Sequence, residues 1–390
     1  MPASLPFATD FLARHWPLLM ECCALEPDLA GIQAMADEVS DAELFLRLVD
    51  AHGVAGNLMA VLPGVPDPQR TLPLLESLRR RRRDHVLSSL AKTAELFRTL
   101  ELFRNASVEC VVVKGPVLSL RAYGDSAARQ YVDLDFIVRQ SDIPRAAEIL
   151  VAAGYHSRIS TEAIRAGKIP GEYHFRRQSM LTIIELHTER TLRYFPLRFP
   201  LEKFFQRKAS LSLDGHTIPA LSAEDEFVLI SVHGATHFWE RLMWIADVAA
   251  IVQRHAELDW AAVRKSAAEV GAGRMVRLAL LLAQDLLGAI VPAEMKNEVM
   301  EDSVCRGLVR DIKTWLPYAG YATPAIGQRA MFRFRICETA FTGAAYVARL
   351  SFATTEEDWL QAGARQGVGI AEALRRPFRL SRKYRRNPSR

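Results

Sequence analysis

At 390 residues, with 49% hydrophobic and 24% charged side chains, the chain has room for two or three packed domains and is too apolar to be disordered. Its net charge of +5 is uneven: the last sixteen residues, 375–390, hold eight basic and no acidic side chains, which leaves the remainder slightly acidic. The most apolar run, 278–291, is short and carries Gln284 and Asp285, so it reads as a buried helix and no membrane span is expected.

The N-terminus, "MPASLPFATDFLARHW", lacks the basic and apolar regions of a signal peptide. Residues 1–105 have helical apolar spacing throughout. Ser40 is the expected N-cap of "SDAELFLRLVDAHGVAGNLMAVL", and "GVPDPQ" (64–69) is a turn. A long helix follows from Leu72 to Arg104, with an apolar stripe at Leu75, Leu78, Val86, Leu90, Phe97, Leu100 and Phe103. Its Arg79–Arg83 run exceeds one turn and cannot all lie on one solvated face. Arg82 falls where the stripe should continue, so it either points inward, toward a ligand or the carboxylates of the next region, or snorkels at the surface.

From Val108 the texture becomes short and β-branched: 108–113, 132–138 and 181–186 read as strands. A helix lies between the first two, and "SDIPRAAEILVAAGY" forms another, capped at Ser141 or Asp142 and ended by Gly154. "LSLDGHTIPAL" (211–221) is a hairpin turning at Asp214-Gly215. Ser222 with Asp225 resembles a capping box and opens a second helical region, interrupted near Pro292, Pro317 and Pro324. The expected division is a helical region at 1–105, a small mixed-sheet α+β core at 106–220, a helical domain at 221–372 and a flexible basic tail at 373–390. Five scattered cysteines without a C-x-x-C pair imply reduced thiols, a cytoplasmic setting and no structural zinc.

The chemistry centres on "YVDLDF". With 45 acidic residues in 390, about five carboxylate-x-carboxylate pairs arise by chance, so this one matters through its context. Strand alternation puts Asp133 and Asp135 on one face, about 7 Å apart at the backbone, with Val132, Leu134, Phe136 and Val138 on the other. Two unpaired carboxylates there would repel, and a divalent cation removes the conflict. Hard oxygen donors favour Mg²⁺ or Mn²⁺. "TIIELH" (182–187) offers Glu185 as a third carboxylate, with His187 on the same face. The bland alternative is pairing of the aspartates with Arg129 or Arg139. In "VVVKGP", Gly115 permits close backbone approach, Pro116 suits a first helical position, and Lys114 adds charge to a helix start, which together form an anion site.

These motifs resemble the DNA polymerase β-type nucleotidyltransferase superfamily and, more closely, a bacterial family of uncharacterised nucleotidyltransferases. The matching residues are Lys114-Gly115, Arg129, Asp133-Leu134-Asp135, Glu185-Leu186-His187 and "HGATHFWERLMWIAD" (233–247), over roughly residues 40–290. The superfamily's usual Gly-Ser or Gly-Gly is Lys114-Gly115-Pro116 here, so a hydroxyl contact to phosphate is missing. The resemblance implies a polymerase β-like catalytic core at 106–220 and transfer of an NMP from an NTP to an acceptor hydroxyl, with pyrophosphate leaving. It assigns Asp133 and Asp135 to two metal ions, and Glu185 to the nucleophile's metal with a second role as base. Lys114, the Gly115 backbone and Arg129 then hold phosphate oxygens.

His233 and His237 lie four apart, with Arg241 and Trp244 continuing the same helical face. Either that face contacts nucleotide, as His187 also would, or the histidines pack and bond to backbone or to Asp247. A zinc site lacks a third ligand. Beside the leading reading stand two others: an RNA-end nucleotidyltransferase using the basic tail, and a silent nucleotide-binding scaffold, which intact Asp133, Asp135 and Glu185 argue against. The base, the acceptor (small molecule, peptide, protein or sugar) and the oligomeric state are not legible.

Overall fold

Short β-branched runs and longer amphipathic stretches separate along this chain, and each forms the element its period dictates. The computed structural model describes residues 9–166, 172–177, 182–189, 194–318, 324–352 and 373–379. The strands are β1 (Cys110–Val113), β2 (Asp133–Val138), β3 (His156–Ser157), β4 (Tyr173–Arg176), β5 (Ile183–His187), β6 (Ala209–Leu213) and β7 (His216–Ala220). They form one mixed sheet in the order β3-β4-β5-β2-β1-β7-β6. β1 runs antiparallel to β2, which runs parallel to β5, so Asp135 lies between Val113 and Glu185. The fold is α+β, as its sequence pattern indicates: a mixed sheet flanked by helices on both sides in the chain.

Each face of the sheet has its own core. On one, Leu134, Phe136, Val138, Ile184 and Leu186 pack against Leu96 and Phe103 of the long helix Leu72–Asn105 and against the helix Ile143–Ala152. On the other, Val111, Val113 and Ile137 join a single larger core. That core is continuous from the N-terminal helices (Phe45, Leu46, Leu58) to those after the sheet (Phe227, Trp239, Leu278). The apolar run at 278–291 is mainly the buried helix Gly273–Leu287, and no single helix among the described residues is long and apolar enough to cross a membrane.

Local chemistry explains most boundaries. Asp214 and Gly215, both at positive φ, turn the β6–β7 hairpin. Ser222 caps the helix Ala223–Thr236 by accepting from the Asp225 N–H (3.1 Å). The box is half made, because the Asp225 carboxylate is taken by Arg207 and Ser266. The cap of the helix Ala42–His52 is Asp41, not Ser40, since Asp41 reaches the Leu44 N–H at 2.9 Å. Gly53, at φ 70°, then separates it from Ala55–Val61. Arg376, at the start of the basic segment, donates to Ser351 O at the end of the helix Ala340–Phe352. Most of the basic tail, 380–390, lies outside the described residues.

Two expectations about burial fail. Val132 precedes β2 and is 64% exposed instead of joining the apolar face. On the long helix, Leu90 is exposed while Ser89, Lys92, Thr93 and Glu95 are buried, so the apolar stripe breaks after Leu78 and resumes at Leu96. Tertiary contacts there turn a polar face inward.

Candidate active site

β1 ends in a sharp corner. Lys114 sits at φ 54°, ψ −143°, a conformation unfavourable for a residue with a Cβ, and Gly115 follows at φ 46°. The chain then enters the helix Gly115–Tyr123 with Pro116 in its first turn. The corner turns the Lys114 side chain over β2, where Nζ donates to Asp135 Oδ1 at 3.0 Å. From β5, His187 Nε2 meets the same oxygen at 2.8 Å and Glu185 Oε2 at 3.6 Å. Ligand atoms of Asp135, Glu185 and His187 all lie within 4.8 Å of one another. Beyond Glu185, His174 of β4 approaches it at 3.3 Å, forming a second cluster with Glu172.

This packing sets the charges. Burial raises the Asp133 pKa, as do the neighbouring Asp135 and Glu185 carboxylates, to about 6. Burial would raise Asp135 too, but Lys114 and His187 outweigh it and hold that carboxyl well below its usual range. Glu185 is likewise lowered, against its burial, by the hydrogen bond with His187. His187, which burial would lower, is raised to about 10 by Asp135 and Glu185 and is an imidazolium at neutral pH. Asp135, Glu185 and His187 form a group that could hold a metal ion, and Asp133, pushed toward protonation, lines the same cavity outside that group.

The ten residues expected to hold metal or nucleotide line one cavity of about 720 Å³: Lys114, Gly115, Arg129, Asp133, Asp135, Glu185, His187, His233, His237 and Arg241. They do not all stand free in it. The Arg129 guanidinium is buried and donates to Asp247 Oδ2 at 2.8 Å, and Tyr123 Oη donates to the other oxygen at 3.0 Å. Arg139 pairs with Glu109 and Glu202. Neither arginine pairs with the strand aspartates; Lys114 and His187 are the partners of Asp135. Arg82 points inward, but it reaches Ala127 O (2.6 Å) and Asp125 (3.1 Å) and not the β2 carboxylates.

The histidine segment is not one helix. Its first helix ends at Thr236, Phe238 and Trp239 take positive φ, and the next helix starts at Leu242. Gly234 makes this reversal possible, since a Cβ there would lie 2.5 Å from the Trp239 ring. Trp244 nevertheless meets both imidazoles, at centroid distances of 5.3 Å from His233 and 5.2 Å from His237, with Arg241 5.8 Å above the indole. Asp247 is occupied by Arg129 and Tyr123, and among the described residues no hydrogen bond joins it to either histidine. Enclosure by the cleft, then the Lys114 charge, pushes both pKa values down, and both rings are neutral. Among the described residues no third ligand atom groups with them.

Sequence reasoning missed His85, Ser88 and Lys92 on the long helix, and Glu172 and His174 before and on β4. Stepping back from Phe103, Thr99 and Leu96 by threes and fours reaches Lys92, Ser89, His85 and Arg82, a signal hidden because those residues are polar.

No curated protein matches the chain. A solved structure described as an antigenic nucleotidyltransferase-like protein from Paracoccidioides brasiliensis aligns at 13% identity and a TM-score of 0.33, over 54% of this chain and 91% of that one. Residues 38–288, well over half the chain, match the family described as Uncharacterised nucleotidyltransferase, and the protein belongs to that family.

Proposed function

We propose that the protein transfers an NMP from an NTP to the hydroxyl of an acceptor and releases pyrophosphate, in the manner of the polymerase β-type superfamily. The observation that carries this reading is the convergence of Asp133, Asp135 and Glu185 with the Lys114-Gly115 corner on one cavity. Asp133, Asp135 and Glu185 would hold Mg²⁺ or Mn²⁺, which when bound supplies charge that polarises the α-phosphate and acidifies the acceptor hydroxyl.

The chain's own groups do the rest. Lys114 Nζ exchanges its bond to Asp135 for one to a phosphate oxygen, beside the N–H groups at the start of the helix Gly115–Tyr123. His187 stays between Asp135 and Glu185 and fixes both carboxylates. The lowered pKa of Glu185 suits it better to holding a cation than to taking the acceptor's proton. Neutral His233 and His237 with Trp244 offer an aromatic wall for the base. Arg129 orders the wall through Asp247. The sheet-bearing segment 106–220 is then the catalytic core, with residues within 50–92 and 229–244 completing the lining of the cavity. Five buried free thiols suit a reducing, cytoplasmic setting.

The test is incubation with each α-labelled NTP, Mg²⁺ or Mn²⁺ and cell-lysate fractions. Label should move to an acceptor with the wild type and not with Asp133→Ala or Asp135→Ala; transfer that survives either substitution sinks the mechanism.

A further inference from the structure

Over three turns the long helix Leu72–Asn105 buries polar residues and leaves leucines in water. Leu87 and Leu90 are 60% and 56% exposed, while Ser89, Lys92 and Thr93 face inward. That orientation sacrifices apolar burial, so the inward groups need a purpose. Two have partners in the protein. Arg82 holds the loop before β2 through Ala127 O and Asp125. His85 Nε2 lies 3.1 Å from Ala127 O and 3.3 Å from Ser89 Oγ.

Lys92 differs. It is 6% exposed, and its ammonium ends against the Ser88 hydroxyl and 5.6 Å from the centre of the Tyr131 ring. Among the described residues no carboxylate lies within ion-pair distance of it. Ser88, Lys92, Tyr131 and Asp133 all line the cavity. An ammonium removed from water without a counter-ion is unfavourable, and a neutral hydroxyl and a ring face compensate only part of that cost.

We propose that Lys92, with Ser88, is a phosphate-binding point of this cavity in addition to Lys114. The choice of phosphate rests on the nucleotidyl-transfer reading above. A phosphate oxygen would accept from Nζ in a charge-assisted bond, while Ser88 and Tyr131 hold the ammonium in place. The phosphate belongs either to the NTP chain or to a phosphorylated acceptor. The competing role is a structural counter-charge for Asp133, whose field reaches Lys92 without forming an ion pair.

Calorimetry on the full chain in Mg²⁺ buffer decides, with tripolyphosphate as one probe and inorganic phosphate added to protein loaded with a non-hydrolysable NTP as the other. Lys92→Met should weaken one probe about 10- to 100-fold, the size of a charge-assisted hydrogen bond, and Lys92→Arg should recover most of the loss. Weakened tripolyphosphate assigns the point to the NTP chain; weakened phosphate alone assigns it to the acceptor. Lys92→Gln replaces the Met variant if that one fails to melt cooperatively. A folded, uncharged variant that binds both probes like wild type overturns the proposal and leaves the nucleotide reading standing. Wild-type protein that binds neither probe overturns both.

Discussion

His187 on the sheet side of the cavity and His233 and His237 on its helical side are the same residue type held in opposite charge states. His187 touches two carboxylates, and its pKa is raised to about 10; His233 and His237 touch each other and an indole, and theirs are lowered. Burial pushes all three the same way, so the neighbours decide the outcome. The sheet side is thus a compensated ionic lattice of Lys114, Asp135, His187 and Glu185. On the helical side the histidines are neutral and packed on an aromatic ring, with the Arg241 guanidinium over the same indole. A lattice of that kind is suited to exchange one cation for another, while a neutral wall is suited to receive a flat, polar base.

The largest expected effect breaks the sheet side. Asp135→Ala removes the shared partner of Lys114 and His187, and label transfer should fall at least about a thousandfold, the several kcal/mol that a lost metal site represents. Retained cooperative melting would separate this from unfolding. Next comes the seam between the two sides. Arg129→Met leaves Asp247 buried without its ion-pair partner, and urea unfolding should register a loss of about 3–5 kcal/mol. If instead stability holds and only the KM for NTP rises, Arg129 is a nucleotide ligand, as the sequence motif suggests.

The helical side is probed more gently. Trp244→Ala removes the ring against both histidines and should weaken NTP binding about tenfold, with Trp244→Phe restoring most of it. Equal affinity in the Ala variant would leave the wall a purely packed one.

The last effect appears only in the pH dependence of stability. His52 Nδ1 accepts the Leu242 N–H (3.3 Å) where the helix Leu242–Arg254 begins, and burial lowers its pKa to about 3. The folded state therefore keeps His52 neutral in a range where the unfolded chain protonates it. Its contribution is complete above pH 6.5 and is lost as pH falls from there toward 3. Stability measured across that window should fall more steeply for wild type than for His52→Asn, by at most one proton's worth of slope. Parallel curves would show that His52 is protonated in the fold.

Periodicity and turn chemistry were enough for β1, β2 and β5, for the Asp214-Gly215 hairpin and for the long helix within one residue of its end, because they depend on neighbours within a few residues; β3 and β4 were not read. Alternation was enough to put Asp133 and Asp135 on one face, and "TIIELH" to supply Glu185, which the sheet sets directly beside Asp135. The sequence did not reveal which arginines were committed elsewhere, since Arg129 finds Asp247 and Arg139 finds Glu202 across long separations. Nor did it show that the histidine helix reverses at Phe238-Trp239, or that Lys92 turns inward while Leu90 faces water. What the sequence determined by itself was the strand face that carries Asp133 and Asp135 and the strand that brings Glu185 beside them. What only the tertiary structure decided was each group's partner, and with it each charge, because pKa and free valence depend on contacts between segments far apart in the chain.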